Sequence, residues 1–538
     1  MLNYKLGERK VPETFSNSLY QSLWSSADIL RSKMDANEYK SYLLGLIFYK
    51  YLSDKMLLKA SDLLELETDD VVQAQKNYEE AFNDQELHED LVEAVMDDVA
   101  YIIKPELTFT TLVNNIHKGT FQLEDLAQGF RDIEQSSEIF ENLFEDIDLY
   151  SKKLGSTPQK QNESISEVMK ELANLNIAHE GDVLGDAYEY LIGQFASTSG
   201  KKAGEFYTPQ EVSELMTRIV IHEKENNKGF TAYDAAMGSG SLLLKLKEYS
   251  NESGTISYYG QELNTSTYNL ARMNMILHGV SVENHHLHNS DTLDQDWPTE
   301  EPTNFDAVLM NPPYSAKWTA DKGFLDDPRF SPYGVLAPKS RADFAFLLHG
   351  YYHLKDTGKM AIVLPHGVLF RGHAEEKIRK ILLDNGAIDT VIGLPANIFY
   401  NTSIPTTVII LKKNRSTKDV LFIDASQEFE KGRNQNYLKS EHIDRIVDTY
   451  VKREDVEKYA HVASFEEIVE NDYNLNIPRY VDTFEEEEPI DLVNLGKELV
   501  ELNKEIKKSE QEFLSMLDEL QENEETKDII EATKEVFR

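Results

Sequence analysis

The sequence predicts an α/β fold. Its centre is a Rossmann-like, mostly parallel seven-stranded sheet, with an all-α N-terminal domain before it and a coiled-coil-type helix after it. Three observations lead there. Between residues 230 and 425 short apolar runs alternate with helical ones, the pattern of a parallel sheet covered on both faces. Upstream, residues 12–150 are poor in Gly and Pro, and Tyr39, Tyr42, Leu43, Leu46, Ile47 and Leu52 fall near helical spacing. Downstream, Leu492, Leu495, Leu499, Leu502, Ile506, Ser509, Phe513, Met516 and Leu520 step by three and four along a charged background.

Composition narrows the function. At 538 residues the chain has room for about two to four domains. They are expected as a helical region 1–160, the sheet domain 161–480 and an acidic helical tail 481–538 that docks on a partner. Lys and Arg number 55 against 95 Asp and Glu, a formal net charge of −40. A protein that gripped DNA or RNA alone would carry a basic face and a far less acidic total. Either the ligand is not a polyanion, or a partner supplies most of the phosphate contacts. The chain has no cysteine, which excludes disulfides, thiolate metal sites and a Cys nucleophile. Residues 1–5 lack the apolar core of a signal peptide. The most apolar run, residues 42–49, is too short to span a bilayer. A soluble, cytoplasmic chain without a membrane partner is expected.

In order, residues 38–60 read as a helix, and acidic helices follow over 69–99 and 123–148, their charge being a solvated face. Residues 151–162 are polar with Gly and Pro and read as a linker or exposed loop. Helices over 165–175 and 182–195 precede a flexible loop at 197–202. The candidate strands are 231–234, 256–261, 284–288, 305–310, 359–364, 388–394 and 407–412. In such sheets ligands sit at the carboxyl ends of the strands, near the point where strand order reverses. Asp234, Glu262, Asp291 and Asn311 all fall at or just beyond strand ends, so they share one edge.

The chemistry gathers at that edge. Asp234-Ala235-Ala236-Met237-Gly238-Ser239-Gly240-Ser241 follows the first strand, and its small residues let backbone N–H groups approach a ligand. No Gly-Lys-Ser/Thr follows, and Leu243 stands where a dinucleotide fingerprint has its third glycine. Glu262, about twenty residues beyond, ends the next strand, where an acid binds both ribose hydroxyls of an adenosine cofactor. That cofactor is a nicotinamide dinucleotide or S-adenosylmethionine. Asp291 lies where the adenine amino group points, and equally suits a helix N-cap. Upstream, Thr208 suits a cap with Pro209 in the first turn of the next helix, while Tyr207 and Thr208 also suit closing over the cofactor. The strand 305–310 ends in Asn311-Pro312-Pro313-Tyr314. Pro stops the sheet, leaving a side-chain amide, stiff carbonyls and an aromatic face that suit a flat heterocycle bearing an amino group. An ordinary strand-ending turn has the same letters. His285, His286 and His288 read as a strand-flanking polar run, and no metal is expected.

Taken in order, Gly-Glu-Phe-Tyr-Thr-Pro at 204–209, Asp-x-x-x-Gly-Ser-Gly at 234–240, Gly-Gln-Glu at 260–262, Asn-Ser-Asp-Thr at 289–292 and Met-Asn-Pro-Pro-Tyr at 310–314 resemble the amino-methylating DNA methyltransferases. More closely, the chain resembles the methylation subunit of type I restriction–modification systems. The likeness extends to residues 182–191, 394–400 and 24–52, and so covers most of the chain. Ala235 departs from it, where relatives often carry Pro. The resemblance implies that the sheet domain is an S-adenosylmethionine-dependent methyltransferase. Tyr207, Thr208, Gly238, Ser239, Gly240, Ser241 and Glu262 then bind the cofactor, Asp234 shapes the loop and Asp291 lies near the adenine. Glu205, Phe206, Pro209 and Gln210 belong to the same closing segment. Asn311, Pro312, Pro313 and Tyr314 hold a flipped target adenine, with Tyr314 stacking on one face and Phe399 on the other, or Phe399 simply packing in the core.

Adenine N6 is a poor nucleophile because its lone pair is delocalised. Acceptance of its hydrogens by Asn311 and the Pro312 carbonyl returns density to nitrogen, with neither covalent intermediate nor metal. Cytosine C5 methylation needs a thiolate, which this chain lacks. Rival readings are a methyltransferase acting on protein glutamine or RNA, a nicotinamide dehydrogenase, and a non-catalytic binding module. Beyond residue 480 no basic base-reading domain fits, so a separate specificity subunit is expected to read the DNA and to receive the C-terminal helix. The resemblance implies two methylation subunits per specificity subunit, and a restriction subunit in the full complex.

Overall fold

The computed structural model describes residues 26–31, 33–34, 36–175, 181–198, 207–400, 402–433, 435–483, 491–520 and 526–537. Trp24, in the helical N-terminal stretch of the resemblance, lies outside them. Helix α1 (Ala36–Leu63) is apolar around most of its circumference, because other helices surround it. α2 (Val71–Asn83), α3 (His88–Val99), α4 (Phe109–Lys118), α5 (Leu123–Ser136) and α6 (Pro158–Ala173) pack against it directly or through one another. α7 (Gly181–Thr198) also joins this core. Gly45 on α1 leaves room for Ile147, since a Cβ there would lie 2.1 Å from Ile147 Cδ1.

Two expectations for this region are corrected. Beyond α5, the segment 137–150 is a short 3-10 helix (Glu138–Phe140) and a series of turns rather than a continued α-helix, and inserts Phe140, Leu143 and Phe144 into the core. The expected linker or exposed loop at 151–162 is exposed at residues 152–153 and 156–160, but residues 158–162 already belong to α6 and the loop is anchored at two points. Leu154 is buried, and the Gln161 side chain donates to the carbonyls of Tyr150 (2.8 Å), Ser151 (3.2 Å) and Gly155 (3.1 Å). A polar side chain on the next helix thus satisfies the backbone carbonyls of a loop whose own side chains are mostly exposed. Residue 160, the expected edge of the helical domain, lies inside α6. Of the flexible loop expected at 197–202, residues 197–198 end α7 and the rest lie outside the described residues.

Among the described residues nine strands form one sheet, and two more form a separate ribbon. They are β1 (Thr231–Asp234), β2 (Ser257–Glu262), β3 (His285–Asn289), β4 (Phe305–Met310), β5 (Leu354–Pro365), β6 (Ile388–Gly393) and β7 (Thr406–Lys412). After these come β8 (Val420–Asp424), the ribbon β9 (Glu430–Lys431) and β10 (Asn436–Tyr437), and finally β11 (Ala460–Ala463). The sheet order is β11-β8-β6-β7-β5-β4-β1-β2-β3. All seven expected strands are present, and β8 and β11 extend the edge beyond β6. β7 runs antiparallel to both β5 and β6. The connection from β6 to β7 carries no helix, and parallel neighbours need a longer crossover.

Both faces of the sheet are covered, which is why its strands read as nearly continuous apolar runs. Ala232, Ala307 and Leu309 pack with α8 (Gln210–Ile221), while α9 (Thr265–Leu277) contributes Ala271 and Met275 to the same core. Tyr233, Val308 and Met310 pack with α10 (Asp343–Tyr352) and α11 (Ala374–Asp384) on the other face. α12 (Ser440–Lys452) lies beside α8. The opposite side of α9 meets the N-terminal helical core through Leu270, Met273 and Leu277. Its Arg272 donates to the carbonyls of Glu141 (3.0 Å) and Ile139 (2.6 Å). Chain order reverses between β4 and β1, so Asp234 and Asn311 flank the switch point.

Residues to Asp482 form one compact unit and Thr483–Arg538 a second. In the second, α13 (Leu492–Glu519) and α14 (Lys527–Val536) meet through Phe513 and Phe537, with ring centroids 5.1 Å apart, and through Lys534 and Asp518 at 2.8 Å. No residue of α13 is buried, and its heptad leucines are about half exposed, Leu499 at 51% and Leu502 at 54%. Among the described residues no helix is long and apolar enough to cross a membrane.

Candidate active site

Parallel strands β4, β1, β2 and β3 end side by side, and their carboxyl ends carry the site. The cleft at the ends of β1 and β4 is lined by Tyr207, Thr208, Asp234, Met237, Gly238, Ser239, Ser241 and Asn311 among others. After β1 the chain turns back on itself. The Met237 N–H donates to the Gln261 carbonyl (3.0 Å) and the Gly240 N–H to the Met237 carbonyl (2.9 Å). Gly238 (φ 57°) and Gly240 (φ 79°) both take the left-handed conformation that a Cβ disfavours. Ser239 and Ser241 hydroxyls meet at 2.9 Å, and only a single helical turn, Ser241–Leu244, follows directly.

The two acids differ in burial. Asp234 is buried, its Oδ1 accepting from the Ala236 N–H (2.9 Å). Burial pushes its carboxyl up to about 8, the charge of Glu262 adding to the effect. Glu262 accepts from the N–H of Gly238 (3.1 Å) and of Asn264 (2.8 Å), so the acid after β2 braces the glycine loop after β1. Burial raises its carboxyl as well, against those N–H bonds. Asp291 sits two residues past β3 and accepts from the Leu293 N–H (3.1 Å), which closes a turn; no helix follows for it to cap. Buried Arg329 anchors that turn by donating to the carbonyls of Thr292 (2.8 Å) and Leu293 (3.2 Å), and the Thr292 hydroxyl donates to the Ala235 carbonyl. Polar atoms of Asp296, His349 and His353 also lie within 4.8 Å of one another, with Arg329 Nη1 3.1 Å from His349 Nδ1. Burial holds His349 well below the usual imidazole range, with the nearby His353 and the Arg329 guanidinium acting in the same direction.

Asn311 is buried at the end of β4, held by two bonds that orient its amide. Nδ2 donates to the Thr208 hydroxyl (3.1 Å), and Oδ1 accepts from the Tyr314 hydroxyl (2.8 Å). The amide oxygen therefore faces the Tyr314 side of the pocket. Thr208 does not cap α8 as expected. Pro209 holds the cap position, its carbonyl accepting from the Val212 and Ser213 N–H groups, and the Thr208 hydroxyl is spent on Asn311. Phe399 is 1% exposed and meets Tyr314 edge-on at 6.0 Å. It belongs to the core and backs the Tyr314 ring, offering no free face for stacking. Glu205 and Phe206 lie outside the described residues.

Sequence reasoning missed the tie between the closing segment and the glycine loop. Gln210 Nε2 donates to Glu189 Oε2 (2.7 Å) and to the Tyr207 hydroxyl (2.8 Å). Asn274 Nδ2 donates to the Ser239 carbonyl (3.0 Å) and approaches Glu189 Oε1 at 3.4 Å. Glu189 on α7 thus bridges α8 and α9 behind the cleft. It stands within residues 182–191, where no spacing rule assigns it a partner.

The chain matches the N-6 DNA Methylase family over residues 179–489 and the HsdM N-terminal domain over residues 19–172. It is 37% identical over 513 residues to the type I restriction enzyme MpnII methylase subunit of Mycoplasma pneumoniae, covering 90% of this chain and 93% of that protein. The MjaVII methylase subunit of Methanocaldococcus jannaschii is 32% identical over 523 residues, 93% of this chain and 83% of that protein. A solved type I restriction-modification system methyltransferase subunit from Streptococcus thermophilus superimposes with a TM-score of 0.86 at 71% identity, covering 87% of this chain and 100% of that one. With both matches in place along a single chain, and Asp234 and Asn311 lining one cleft with the glycine loop, this protein belongs to the N-6 DNA methylases and, among them, to the methylase subunits of type I restriction–modification systems.

Proposed function

We propose that this chain methylates adenine N6 in duplex DNA with S-adenosylmethionine, as the modification subunit of a cytoplasmic type I complex. The observation that carries this reading is the orientation of Asn311, whose amide oxygen faces Tyr314 in the same cleft as the glycine loop. The cleft fits the cofactor: two glycines in left-handed conformations keep side chains out of it, and two carboxyl groups suit a ribose and a cationic amino-acid end. S-adenosylmethionine, when bound, supplies the electrophilic methyl group. Tyr207, Thr208, Gly238, Ser239, Gly240, Ser241 and Glu262 hold it, Asp234 shapes the loop, and Asp291 lies on the adenine side. Pro209 and Gln210 brace the closing segment.

Asn311 Oδ1 has two lone pairs, so the Tyr314 hydroxyl takes one and leaves one for the target amine. With the Pro312 carbonyl accepting the second hydrogen, the N6 lone pair is freed for in-line attack. Pro312 and Pro313 stiffen the backbone that presents these acceptors, and Tyr314 stacks on the flipped base. Sequence choice lies in a separate specificity subunit, on which the exposed stripe of α13 docks. Two methylation subunits serve one specificity subunit, and a restriction subunit completes the nuclease complex. In this arrangement residues 1–160 form a helical domain, 161–480 the catalytic domain and 481–538 the docking tail. Incubating the purified complex with labelled cofactor and duplex DNA, then digesting to nucleosides, tests the reading. Label is expected in N6-methyladenine; label in protein or RNA with none in duplex DNA would sink it.

A further inference from the structure

A net charge of −40 leaves open which part of this chain meets the phosphates of a duplex. Two exposed segments flank the Asn311–Tyr314 pocket. The first follows Tyr314 directly. The Trp318 N–H donates to the Lys339 carbonyl (3.1 Å) and the Ala342 N–H to the Ala316 carbonyl (2.8 Å), so residues 316–318 lie alongside 339–342. That pairing brings exposed Lys317, Lys339 and Arg341 to one stretch of surface beside the catalytic tyrosine. The second segment is the ribbon β9–β10. Asn436 donates twice to the loop after β6, from its backbone to the Asn397 carbonyl (2.8 Å) and from its amide to the Ala396 carbonyl (2.8 Å). The same loop carries Phe399, which touches Tyr314. The ribbon therefore stands at the other lip of the pocket.

Charge on this ribbon is sorted. Its acids are neutralised from the base, Glu430 by Lys439 (2.8 Å) and Glu428 by Arg445. At the tip Lys431 and Arg433 are exposed, and the Gly432 N–H closes the turn onto the Gln435 carbonyl (2.9 Å). Among the described residues none of these five cations forms an ion pair, in a chain where acids outnumber bases by 40 (95 against 55). Unpaired cations on both lips of one pocket are complementary to a polyanion that passes across it.

We propose that the ribbon tip and the segment 317–341 form a clamp on the DNA backbone, one on each side of the flipped nucleotide. Extruding a base distorts the backbone on both flanks, and cations at both lips hold the phosphates in that path. The catalytic chain then supplies its own phosphate contacts next to those of its partner. This rests on the DNA reading above.

The test uses the complex with its specificity subunit, and two charge reversals, K431E/R433E and K317E/K339E/R341E. Duplex binding is measured between 50 and 200 mM salt, roughly the range over which the slope of log Kd on log salt reports how many phosphates are neutralised. Each variant is expected to flatten that slope by about 0.9 for every phosphate it no longer neutralises, and to raise the apparent KM for DNA. Affinity for S-adenosylmethionine by calorimetry should be unchanged, which also shows that the variant is folded. A wild-type complex that methylates DNA, with variants of identical slope and KM, overturns the clamp. Loss of co-purification with the specificity subunit assigns the segment to protein docking and overturns it equally. A wild-type complex that labels RNA or protein and no DNA refutes the functional reading itself.

Discussion

Asn311 is held by two neighbours. Thr208 and Tyr314 each take one end of its amide, so the oxygen is aimed before any base arrives. Asn311→Ala should lower kcat by at least about 100-fold, the usual cost of losing one such acceptor or donor in a preorganised site. Cofactor affinity, measured separately, should change little. Tyr314→Phe keeps the ring and loses one hydrogen bond, roughly 1 kcal/mol or a fivefold fall in kcat, whereas Tyr314→Ala should lose far more. Asp234 gives a pH-dependent prediction. Its folded carboxyl titrates at about 8, because of burial first and Glu262 second, against about 3.9 in an unfolded chain. Between those values the native state holds a proton that the unfolded state has lost. The associated stability is therefore complete below about pH 4 and disappears as pH rises through about 8. Asp234→Asn removes this dependence, so the variant should exceed the wild type in Tm by a margin that widens as pH rises from 5 to 8. It should bind cofactor more weakly all the same.

At the scale of elements, the cleft depends on three helices meeting at Glu189. Both carboxylate oxygens are engaged, one with Gln210 of α8 and one with Asn274 of α9. Glu189→Ala should raise the cofactor KM about tenfold, the worth of one or two charge-assisted bonds, with kcat at saturation near the wild-type value. Glu189→Gln should fall between, because a Gln amide can accept from only one of the two donors. Strand positions were legible in the sequence to within a residue or two at β1, β2, β3, β4, β6 and β7, since each is a short apolar run bounded by turn residues. The direction of β7 was not, because it depends on whether a connection crosses the sheet. The loop 151–157 is exposed as its polar residues suggest, but its tie to Gln161 on the next helix, which donates to its carbonyls, was not legible for a related reason.

On the scale of the whole molecule, the tail unit carries an apolar stripe that its second helix meets at Phe513 and Phe537. Deleting residues 490–538 should abolish co-purification with the specificity subunit while sparing cofactor binding; a truncated chain that still co-purifies would refute docking through α13. The charge of −40 and the absence of cysteine constrain the whole chain from the sequence alone, the first pointing to a partner and the second excluding a thiolate route. The sequence by itself also determined the class of chemistry. Asp234, Glu262 and Asn311 close parallel strands, and local apolar periodicity is enough to locate strand ends. Only the tertiary structure decided how the site is held. Thr208 reaches Asn311 across 103 residues and Glu189 reaches Asn274 across 85, while Phe399 turns inward to the core. Those pairings follow from how helices stack on the sheet, and no residue spacing along the chain encodes them.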